Sequence, residues 1–296
     1  MTAPASMPVK ALITGAGGQV GRMLLETKPD DVQAIALAHT DLDIAQPEAV
    51  RDCISRHRPT LIINAAAYTA VDKAEAEPDA ARLINAEGPA HLAAAAREHG
   101  ARLLHISTDF VFDGRASTPY LPQSPTNPLS VYGRTKRDGE LAVVEALPEH
   151  SVIVRTAWVY AAAGANFLRT MLRIMGANRA VRVVADQVGT PTAARSLAEV
   201  LWRIAAREDV RGIHHFTDAG TASWYDFAVA IAEEGAQMGL LPGEVMVTPI
   251  ATSDYPTPAR RPSYSVLDKR SLAPLGLPPV HWRQRLRGVL KEIASA

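Results

Sequence analysis

The stretch Lys10-Ala-Leu-Ile-Thr-Gly-Ala-Gly-Gly-Gln-Val-Gly-Arg-Met-Leu-Leu-Glu26 decides the fold of this chain. Its apolar start predicts a β-strand, its glycines a tight turn, and its end a helix. Gly15, Gly18 and Gly21 let the backbone turn sharply and approach a ligand, while the start of the helix presents N–H groups to a pyrophosphate. The spacing departs from the usual G-x-G-x-x-G pattern, because Val20 stands where the last glycine would be. The stretch predicts a dinucleotide site; the alternative is an ordinary glycine-rich turn.

Short apolar runs alternate with amphipathic stretches along the first half of the chain. Further strands are predicted at 32–37, 60–64, 102–107 and 151–155, and helices at 47–57, 80–98 and 131–145. Strands that alternate with helices indicate right-handed βαβ units and a parallel sheet covered on both faces. We therefore predict an α/β fold, with a Rossmann-like doubly wound parallel sheet and a smaller C-terminal substrate-binding lobe.

The alternation loosens beyond about residue 160. Helices are predicted at 166–175, 196–207 and 224–235, and strands at 181–184 and 212–216. We predict that residues 7–160 form the NAD(P)-binding domain, with returning segments near 188–216. Residues 161–187 and 217–296 are then predicted to form mainly the substrate-binding lobe.

Composition narrows the class of protein. The 296 residues carry 31 Lys and Arg against 31 Asp and Glu, so no overall positive charge attracts nucleic acid. No apolar run reaches the roughly 18 residues that a membrane helix requires, and the N-terminus lacks the pattern of a signal peptide. With a single cysteine, Cys53, no internal disulfide can form. We predict a cytoplasmic protein that binds neither nucleic acid nor membrane.

Tyr132 and Lys136 are four residues apart and share one face of the helix predicted at 131–145. An ammonium beside a phenol favours the phenolate, so we expect the pKa of Tyr132 to fall below its ordinary value of about 10. A tyrosine of this kind can donate or accept a proton. Taken alone the pair is a weak signal, because most such pairs are exposed helix residues.

Polar side chains follow two of the predicted strands. Ser107, Thr108 and Asp109 end the fourth strand, and Asn64-Ala-Ala-Ala-Tyr-Thr69 ends the third. Ligands bind outside the carboxyl ends of parallel strands, so we expect these residues to reach one crevice. His105, by contrast, lies in an apolar strand and is predicted to be a core residue.

These motifs resemble those of the extended short-chain dehydrogenases/reductases and, among them, of the dTDP-4-dehydrorhamnose reductase family. The resemblance covers nearly the whole chain, and Ala-Val-Asp-Lys-Ala-Glu at 70–75 is among its most specific parts. Two residues depart from the family pattern: Phe110 stands where many relatives have tyrosine, and Met23 where some have a metal-binding glutamate. The matching segments are 18–20, 41–44, 64–75, 107–112, 131–136, 155–160, 186–192 and 255–262.

The resemblance implies that NAD(P)H reduces the C4 ketone of dTDP-4-dehydro-L-rhamnose to dTDP-L-rhamnose, in nucleotide-sugar biosynthesis for a surface polysaccharide such as lipopolysaccharide. It implies that Tyr132 protonates the developing alkoxide, that Lys136 lowers the Tyr132 pKa and holds the nicotinamide ribose, and that Thr108 hydrogen-bonds the reacting oxygen. It places Asp109 and Trp158 beside the sugar. The implied cofactor-binding residues are Gly15, Gly18, Gln19, Val20, Gly21, Asp43, Ile44, Ala67, Tyr68, Thr69, Ile106, Tyr132 and Lys136.

The end of the second predicted strand, Leu37-Ala-His-Thr40, has no carboxylate to repel a 2′-phosphate, and Arg22 could contact that phosphate. We therefore expect NADPH to be used at least as well as NADH. Arg261, in a proline-rich segment, is a candidate clamp for the substrate diphosphate because a guanidinium binds phosphate in two-pronged fashion. Because Met23 stands where some relatives have a metal-binding glutamate, it argues against a Mg²⁺-bridged dimer.

We predict no metal ligand, although a requirement for Mg²⁺ stays an option. We expect the protein to be a monomer or a homodimer.

Two alternatives stay open. A sugar-nucleotide epimerase or 4,6-dehydratase of the same superfamily would use the same tyrosine and lysine but retain and recycle NAD; Phe110 after Asp109 argues against a dehydratase, where the family pattern has an acidic pair. The regulatory β subunit of methionine adenosyltransferase also resembles this family, yet it serves as a binding partner. That reading needs no intact catalytic set, whereas Tyr132, Lys136 and Thr108 are all present.

Overall fold

The computed structural model describes residues 9–277 and 280–296. Its β-strands are β1 (Val9–Thr14), β2 (Val32–Leu37), β3 (Leu61–Asn64), β4 (Arg102–Thr108), β5 (Ser151–Thr156), β6 (Val159–Tyr160), β7 (Ala180–Val184), β8 (Val188–Gly189), β9 (Thr192–Ala193), β10 (Gly212–His215), β11 (Ala222–Ser223) and β12 (Met246–Ile250). Its α-helices are α1 (Gln19–Glu26), α2 (Pro47–His57), α3 (Val71–Ala74), α4 (Pro78–Arg82), α5 (Gly88–His99), α6 (Val131–Ala146), α7 (Phe167–Ala177), α8 (Ala194–Ala205), α9 (Trp224–Gln237) and α10 (Trp282–Ala294). Short 3₁₀ turns occupy Asp109–Val111, Thr252–Asp254 and Arg270–Leu275.

Six parallel strands form the central sheet in the order β10-β5-β4-β3-β1-β2. The strand order reverses at β1, which lies between β2 on one side and β3 on the other. Ligands of open α/β sheets bind at such a reversal, outside the carboxyl ends of the strands. The predicted Rossmann-like parallel sheet is confirmed, and the strand predicted at 212–216 is its edge strand β10.

Apolar side chains cover both faces of this sheet. On one face α1 and α8 pack on the strands through residues such as Leu24 and Trp202, and on the other face α2 and α5 do so through Ile54 and Leu92. A third core joins α7, α9 and α10 around Phe227. Burial of both faces explains why the strands read as nearly continuous apolar runs.

Most of the third core lies within the region predicted to form the substrate-binding lobe, although Tyr160 and Ala193 come from the part predicted to form the NAD(P)-binding domain. The boundaries that we give to the two lobes stay a prediction, and residues 7, 8, 278 and 279 lie outside the described residues. Within the described part of the chain, none of the helices combines the length and apolarity needed to cross a bilayer.

The helix predicted over 80–98 is interrupted, because a π-helical turn at Leu83–Glu87 separates α4 from α5. The turn places Asn85 directly against α6, where a Cβ on Gly139 would lie 2.1 Å from the Asn85 carbonyl oxygen. The Asn85 side chain also exchanges two hydrogen bonds with the backbone of Tyr68. These contacts join distant segments, so helical periodicity alone could not predict the interruption.

Candidate active site

The loop between β1 and α1 requires glycine at two positions. Gly15 has a φ of 68°, and a Cβ there would lie 2.6 Å from the backbone nitrogen of Ala66. A Cβ on Gly21 would lie 2.3 Å from the carbonyl oxygen of Gly15. Gly18 immediately precedes α1, whose first N–H groups have no partner within the helix. The loop therefore sets a helix start at the β1–β3 reversal, an arrangement suited to an anion.

A cleft of about 640 Å³ opens where β1, β3, β4 and β5 end. Its size is typical of a pocket for a small organic ligand. A second cavity, of about 810 Å³, lies between α8 and the segment 266–273, and none of the predicted site residues lines it. The predicted residues that do line the cleft are Gly18, Gln19, Val20, Ala67, Thr69, Ile106, Thr108, Asp109, Tyr132, Lys136, Trp158 and Arg261.

Five predicted site residues do not line the cleft. Gly15 and Gly21 lie where the loop packs on itself and on the end of β3. Ile44 is buried in the core against α5. Asp43 accepts a hydrogen bond from the backbone two residues on, and the Tyr68 hydroxyl donates to a carboxylate just before α4. The cofactor roles implied for these residues stay predictions.

Three contacts fix the start of α6, the helix of the predicted catalytic pair. The Ser130 hydroxyl accepts a hydrogen bond from the backbone N–H three residues on, at 3.1 Å. Glu75 accepts the first N–H of the helix at 2.7 Å. Gly133 allows close packing, since a Cβ there would lie 2.3 Å from the carbonyl oxygen of Phe110. The helix therefore enters the cleft at a defined position.

The expected fall in the pKa of Tyr132 is wrong. Burial of its hydroxyl raises the pKa of Tyr132 to about 12. The nearby Asp109 carboxylate also raises this pKa, whereas a hydrogen bond with Thr108 lowers it. The expected fall required the Lys136 ammonium to face the phenol. Instead, Nζ of Lys136 donates to the carbonyl of Ile106 at 2.7 Å. Tyr132 therefore keeps its proton at neutral pH, which is the form that a proton donor needs.

Lys136 is almost fully buried, and burial lowers its pKa to about 8 although Glu140 acts to raise it. Its Nζ lies 3.4 Å from the Nε2 of His105. Glu140 in turn binds Arg155 in a buried ion pair at 2.6 Å and accepts a hydrogen bond from Ser107. Buried polar side chains, among them His105, which was predicted to be a core residue, therefore lie beneath α6.

Thr108 and Asp109 lie side by side on the cleft wall. The Thr108 hydroxyl donates to Oδ1 of Asp109 at 3.1 Å. Among the described residues, Oδ2 of Asp109 is buried and has no hydrogen-bond partner. Burial raises the pKa of Asp109 to about 6, although hydrogen bonds from Ser265 and Thr108 act to lower it. An unsatisfied buried oxygen is costly, which agrees with the raised pKa of this carboxyl group.

Trp158 and Trp224 stack face to face on the cleft, with ring centroids 3.5 Å apart and planes within 5°. Trp158 has a φ of 47°, a conformation that is strained for this residue type. Gly189 lies against its ring, where a Cβ would be 2.7 Å from Cε2. Trp224, the first residue of α9, is not among the predicted site residues. Its position at the start of a helix does not indicate that it stacks on Trp158, which is distant in sequence.

Arg261 reaches the cleft while bound to Asp72. Its two terminal nitrogens donate to the two carboxylate oxygens at 3.0 and 2.7 Å, and this contact is the main reason that the pKa of Asp72 is lowered. One of these nitrogens also donates to Thr257 and to the carbonyl of Ala259. A guanidinium has five N–H donors, so the Nε hydrogen and one further hydrogen remain for a ligand.

Two polar contacts near the glycine loop were not predicted from the sequence. Asn166, just before α7, donates to the side-chain oxygen of Gln19 at 2.8 Å and lines the cleft. Asp41 folds back so that its carboxylate accepts the N–H of Ala38 at 2.8 Å. A carboxylate therefore does lie at the end of β2, where we predicted none. It can repel a 2′-phosphate that binds there, so this part of the argument for NADPH is weaker than predicted. Arg22 lines the cleft as expected.

No cluster of three or more His, Cys, Asp or Glu able to hold a metal ion occurs in residues 9–277 and 280–296. Met23, at the position where some relatives have a glutamate, packs against the core beneath α1 and α8. The described residues thus offer no protein-only metal centre.

The doubly wound sheet, the glycine loop at its reversal, and Tyr132, Lys136 and Thr108 together in one cleft define an NAD(P)-dependent oxidoreductase of the short-chain dehydrogenase/reductase type. Known proteins agree with this class. The family model of the RmlD substrate binding domain matches residues 9–295. The dTDP-4-dehydrorhamnose reductase of Aggregatibacter actinomycetemcomitans is 42% identical over 288 residues, which cover 95% of this chain and 98% of the relative.

Two further relatives extend the comparison. The dTDP-4-keto-6-deoxy-D-glucose reductase of Streptomyces niveus is 40% identical over 277 residues, covering 93% of this chain and 94% of the relative. The crystal structure of dTDP-4-dehydrorhamnose reductase from Bacillus anthracis str. Ames in complex with NADP is 34% identical with a TM-score of 0.91, covering 97% of this chain and 100% of that one. The chain therefore belongs to the dTDP-4-dehydrorhamnose reductase family.

Proposed function

We propose that this protein reduces the C4 ketone of dTDP-4-dehydro-L-rhamnose with NADPH to give dTDP-L-rhamnose. One observation carries the proposal: Tyr132, which keeps its proton at neutral pH, shares a cleft with Thr108, Asp109 and the glycine loop. A ketone that receives a hydride needs a proton donor, which Tyr132 can supply. The product serves nucleotide-sugar biosynthesis for a surface polysaccharide.

The protein side chains supply the acid and the orientation. When bound, the reduced nicotinamide supplies a hydride to the ketone carbon. Tyr132 donates its phenolic proton to the ketone oxygen, and Thr108 hydrogen-bonds the same oxygen. Lys136 holds the nicotinamide ribose, and its charge stabilises the phenolate that Tyr132 becomes. Asp109 accepts a hydrogen bond from a hydroxyl of the sugar, which fixes the face that is presented.

The cofactor fits the cleft because Gly17 and Gly18, which line it, carry no side chains that would block the approach of a pyrophosphate. Gly15 and Gly21 keep the loop closed. The pyrophosphate binds at Gly18, Gln19 and Val20, whose N–H groups open α1. The remaining contacts follow the family likeness: Ala67, Thr69 and Ile106 border the cofactor in the cleft. Asp43 and Ile44 beside the adenine, and Tyr68 in the cofactor channel, are assigned on that likeness alone, because they do not line the cleft.

The substrate lies between the catalytic helix and the C-terminal part of the chain. Trp158 lines the sugar pocket and is held there by Trp224. Arg261 donates its two remaining hydrogens to the diphosphate, and Asp72 orients the guanidinium. The sugar and the diphosphate are then both held in place, as hydride transfer between two aligned carbon atoms requires.

We further propose that NADPH is preferred to NADH and that the protein acts in the cytoplasm as a monomer or homodimer. Arg22, which lines the cleft beside the glycine loop, supports the cofactor preference. The lack of a membrane-spanning helix among the described residues is compatible with a small-molecule substrate of this kind.

The experiment is a substrate panel followed at the nicotinamide absorbance. The purified protein is given NADPH with dTDP-4-dehydro-L-rhamnose, dTDP-4-keto-6-deoxy-D-glucose or a UDP-linked 4-ketosugar, and each product is identified by mass and stereochemistry. We expect NADPH oxidation at least ten times faster with dTDP-4-dehydro-L-rhamnose, about 1.4 kcal/mol of preference. Faster turnover of another ketosugar would reassign the substrate. Tightly retained NAD without net oxidation would instead indicate an epimerase or dehydratase.

A further inference from the structure

A buried chain of polar side chains runs from β1 to the catalytic helix. The Thr14 hydroxyl donates to Oδ1 of Asn64 at 2.7 Å, and Nδ2 of Asn64 lies 3.0 Å from Nδ1 of His105. The other ring nitrogen of His105 lies 3.4 Å from Nζ of Lys136. None of the four residues is more than 2% exposed. The proposed reaction uses only Lys136, so the rest of the chain needs an explanation.

The backbone fixes which way Asn64 points. The N–H of Ala66, which can only donate, lies 3.1 Å from Oδ1 of Asn64. The amide NH₂ of Asn64 therefore faces His105, and Nδ1 of the imidazole must accept. A neutral imidazole that accepts at Nδ1 carries its hydrogen on Nε2. The doubly protonated form conflicts with the same contact, and burial lowers the pKa of His105 well below its ordinary value.

The N–H at Nε2 of His105 points at Nζ of Lys136. An ammonium at Lys136 has three N–H donors and no acceptor, so its hydrogens would face the Nε2–H of His105 and no hydrogen bond could form. A neutral amine has a lone pair that accepts this hydrogen, and it still donates to the carbonyl of Ile106 at 2.7 Å. The hydrogen-bond pattern is therefore complete only when Lys136 is uncharged.

The charged groups around Lys136 do not reverse this preference. Glu140, one turn further along α6, favours the ammonium, but its two oxygens bind Arg155 at 2.8 and 2.6 Å. Asp109, in the 3₁₀ turn after β4, acts on Tyr132. Burial is the largest influence on Lys136 and lowers its pKa to about 8.

We propose that His105 is a positioning residue that holds Lys136 as a neutral amine, and that binding of the dinucleotide is accompanied by uptake of one proton at Lys136. The ribose hydroxyls can accept, so turning Nζ from His105 to the ribose removes the conflict between donors. The cofactor phosphates favour a positive charge nearby. The step is Lys–NH₂ + H⁺ → Lys–NH₃⁺, with the proton taken from solvent. It rests on the ribose contact of the proposed function.

The test is calorimetric titration of the whole protein with NADPH at pH 9 in two buffers of different ionisation enthalpy. At this pH a phosphate monoester, with a second pKa of about 6, no longer titrates. A lysine with its ordinary pKa of about 10.4 is still charged. We expect an uptake approaching one proton in the wild type and close to none in Lys136→Met. Binding without uptake, or uptake that persists in Lys136→Met, overturns the proposal.

Two variants isolate the contribution of His105. His105→Asn keeps an acceptor for Asn64 where Nδ1 stood and removes the N–H aimed at Lys136, so the proton uptake should fall by at least half. His105→Gln, whose amide oxygen can turn to Nζ, should give the same fall and serves if the first variant does not fold. His99→Asn, at the exposed end of α5, is the control and should bind with the wild-type uptake. Unchanged uptake in either His105 variant contradicts the role.

A titration of ¹³C-labelled lysines in the protein without nucleotide separates this inference from the proposed function. One lysine resonance should titrate near pH 8, vanish in Lys136→Met and shift to higher pH in His105→Asn. If NADPH fails to bind at all, the proposed function fails while this titration still decides the state of Lys136. If Lys136 titrates above pH 10 in the wild type, the inference fails and the proposed function stands.

Discussion

Asp72 and Arg261 form a two-pronged ion pair that joins α3 to the C-terminal segment beside the cleft. The pair is partly exposed, so its net contribution to the free energy of unfolding is small. Its geometry instead fixes the plane of the guanidinium. Three residues further on, Glu75 holds the start of α6. The segment 70–75 therefore orients both the catalytic helix and the arginine that we assign to the diphosphate.

The first prediction concerns this orientation. Asp72→Asn should raise the KM for the nucleotide sugar about tenfold, roughly 1.4 kcal/mol of binding, while kcat changes little. Lys73→Gln, which removes only an exposed pair with Glu77, is the matched control and should leave KM unchanged. An unaltered KM in Asp72→Asn, measured with saturating NADPH, would mean that the pair does not orient Arg261 toward substrate.

The second prediction concerns the space around Trp158. Gly189→Ala places a methyl group within 2.7 Å of the indole, so the Trp158–Trp224 stack must shift. We expect a loss of about 1–3 kcal/mol in the free energy of unfolding and a lower kcat/KM. Near-ultraviolet circular dichroism reports the stack. Gly176→Ala, in α7 with open space around it, should keep activity and stabilise by about 0.5–1 kcal/mol. Equal behaviour of the two variants would refute this account.

The third prediction concerns the buried pair of Glu140 and Arg155. Both side chains are only 3% exposed, so Glu140→Gln leaves an arginine charge uncompensated in the core. Denaturant unfolding should show a loss of about 3–5 kcal/mol. Glu149→Gln, which breaks an exposed pair with Arg211, should cost less than about 1 kcal/mol. A cost below about 1 kcal/mol for Glu140→Gln would show that the network does not need the pair.

The fourth prediction concerns cofactor choice. Arg22 lines the cleft and is exposed, so it can approach a 2′-phosphate. Arg22→Ala should lower kcat/KM for NADPH about tenfold, near the strength of one charge-assisted hydrogen bond, and leave NADH nearly unaffected. Arg56→Ala, at the end of α2 and outside the cleft, serves as control. An equal loss with both nucleotides would contradict a phosphate contact.

Local pattern carried the prediction of most of the first half. β2 and α2 begin and end at the predicted residues, because apolar runs mark the strand and Pro47 starts the helix. β12 and α10 are not among the predicted elements. β12 pairs with β7, far away in sequence, and α10 packs on α9. The strand pairing has no local signature, whereas α10 does have one, which we did not predict: its buried residues Trp282, Leu286, Val289 and Leu290 recur at helical spacing.

The candidate site divides in the same way. Tyr132, Lys136 and Thr108 could be placed in one cleft because strand ends and helical spacing fix their positions. Trp224 and Asn166 could not, since their partners come from distant segments. The pKa of Tyr132 was mispredicted because sequence spacing does not reveal how deeply a hydroxyl is buried or where a neighbouring ammonium points.

The most direct test of the central claim is the kcat of Tyr132→Phe for NADPH oxidation with dTDP-4-dehydro-L-rhamnose, measured together with the Kd for NADPH. Loss of the phenolic proton should lower kcat by about 100-fold or more while Kd stays within about twofold. Tyr225→Phe, on α9 and outside the cleft, should retain full activity. A Tyr132→Phe enzyme that folds, binds NADPH and turns over near the wild-type rate would contradict the account.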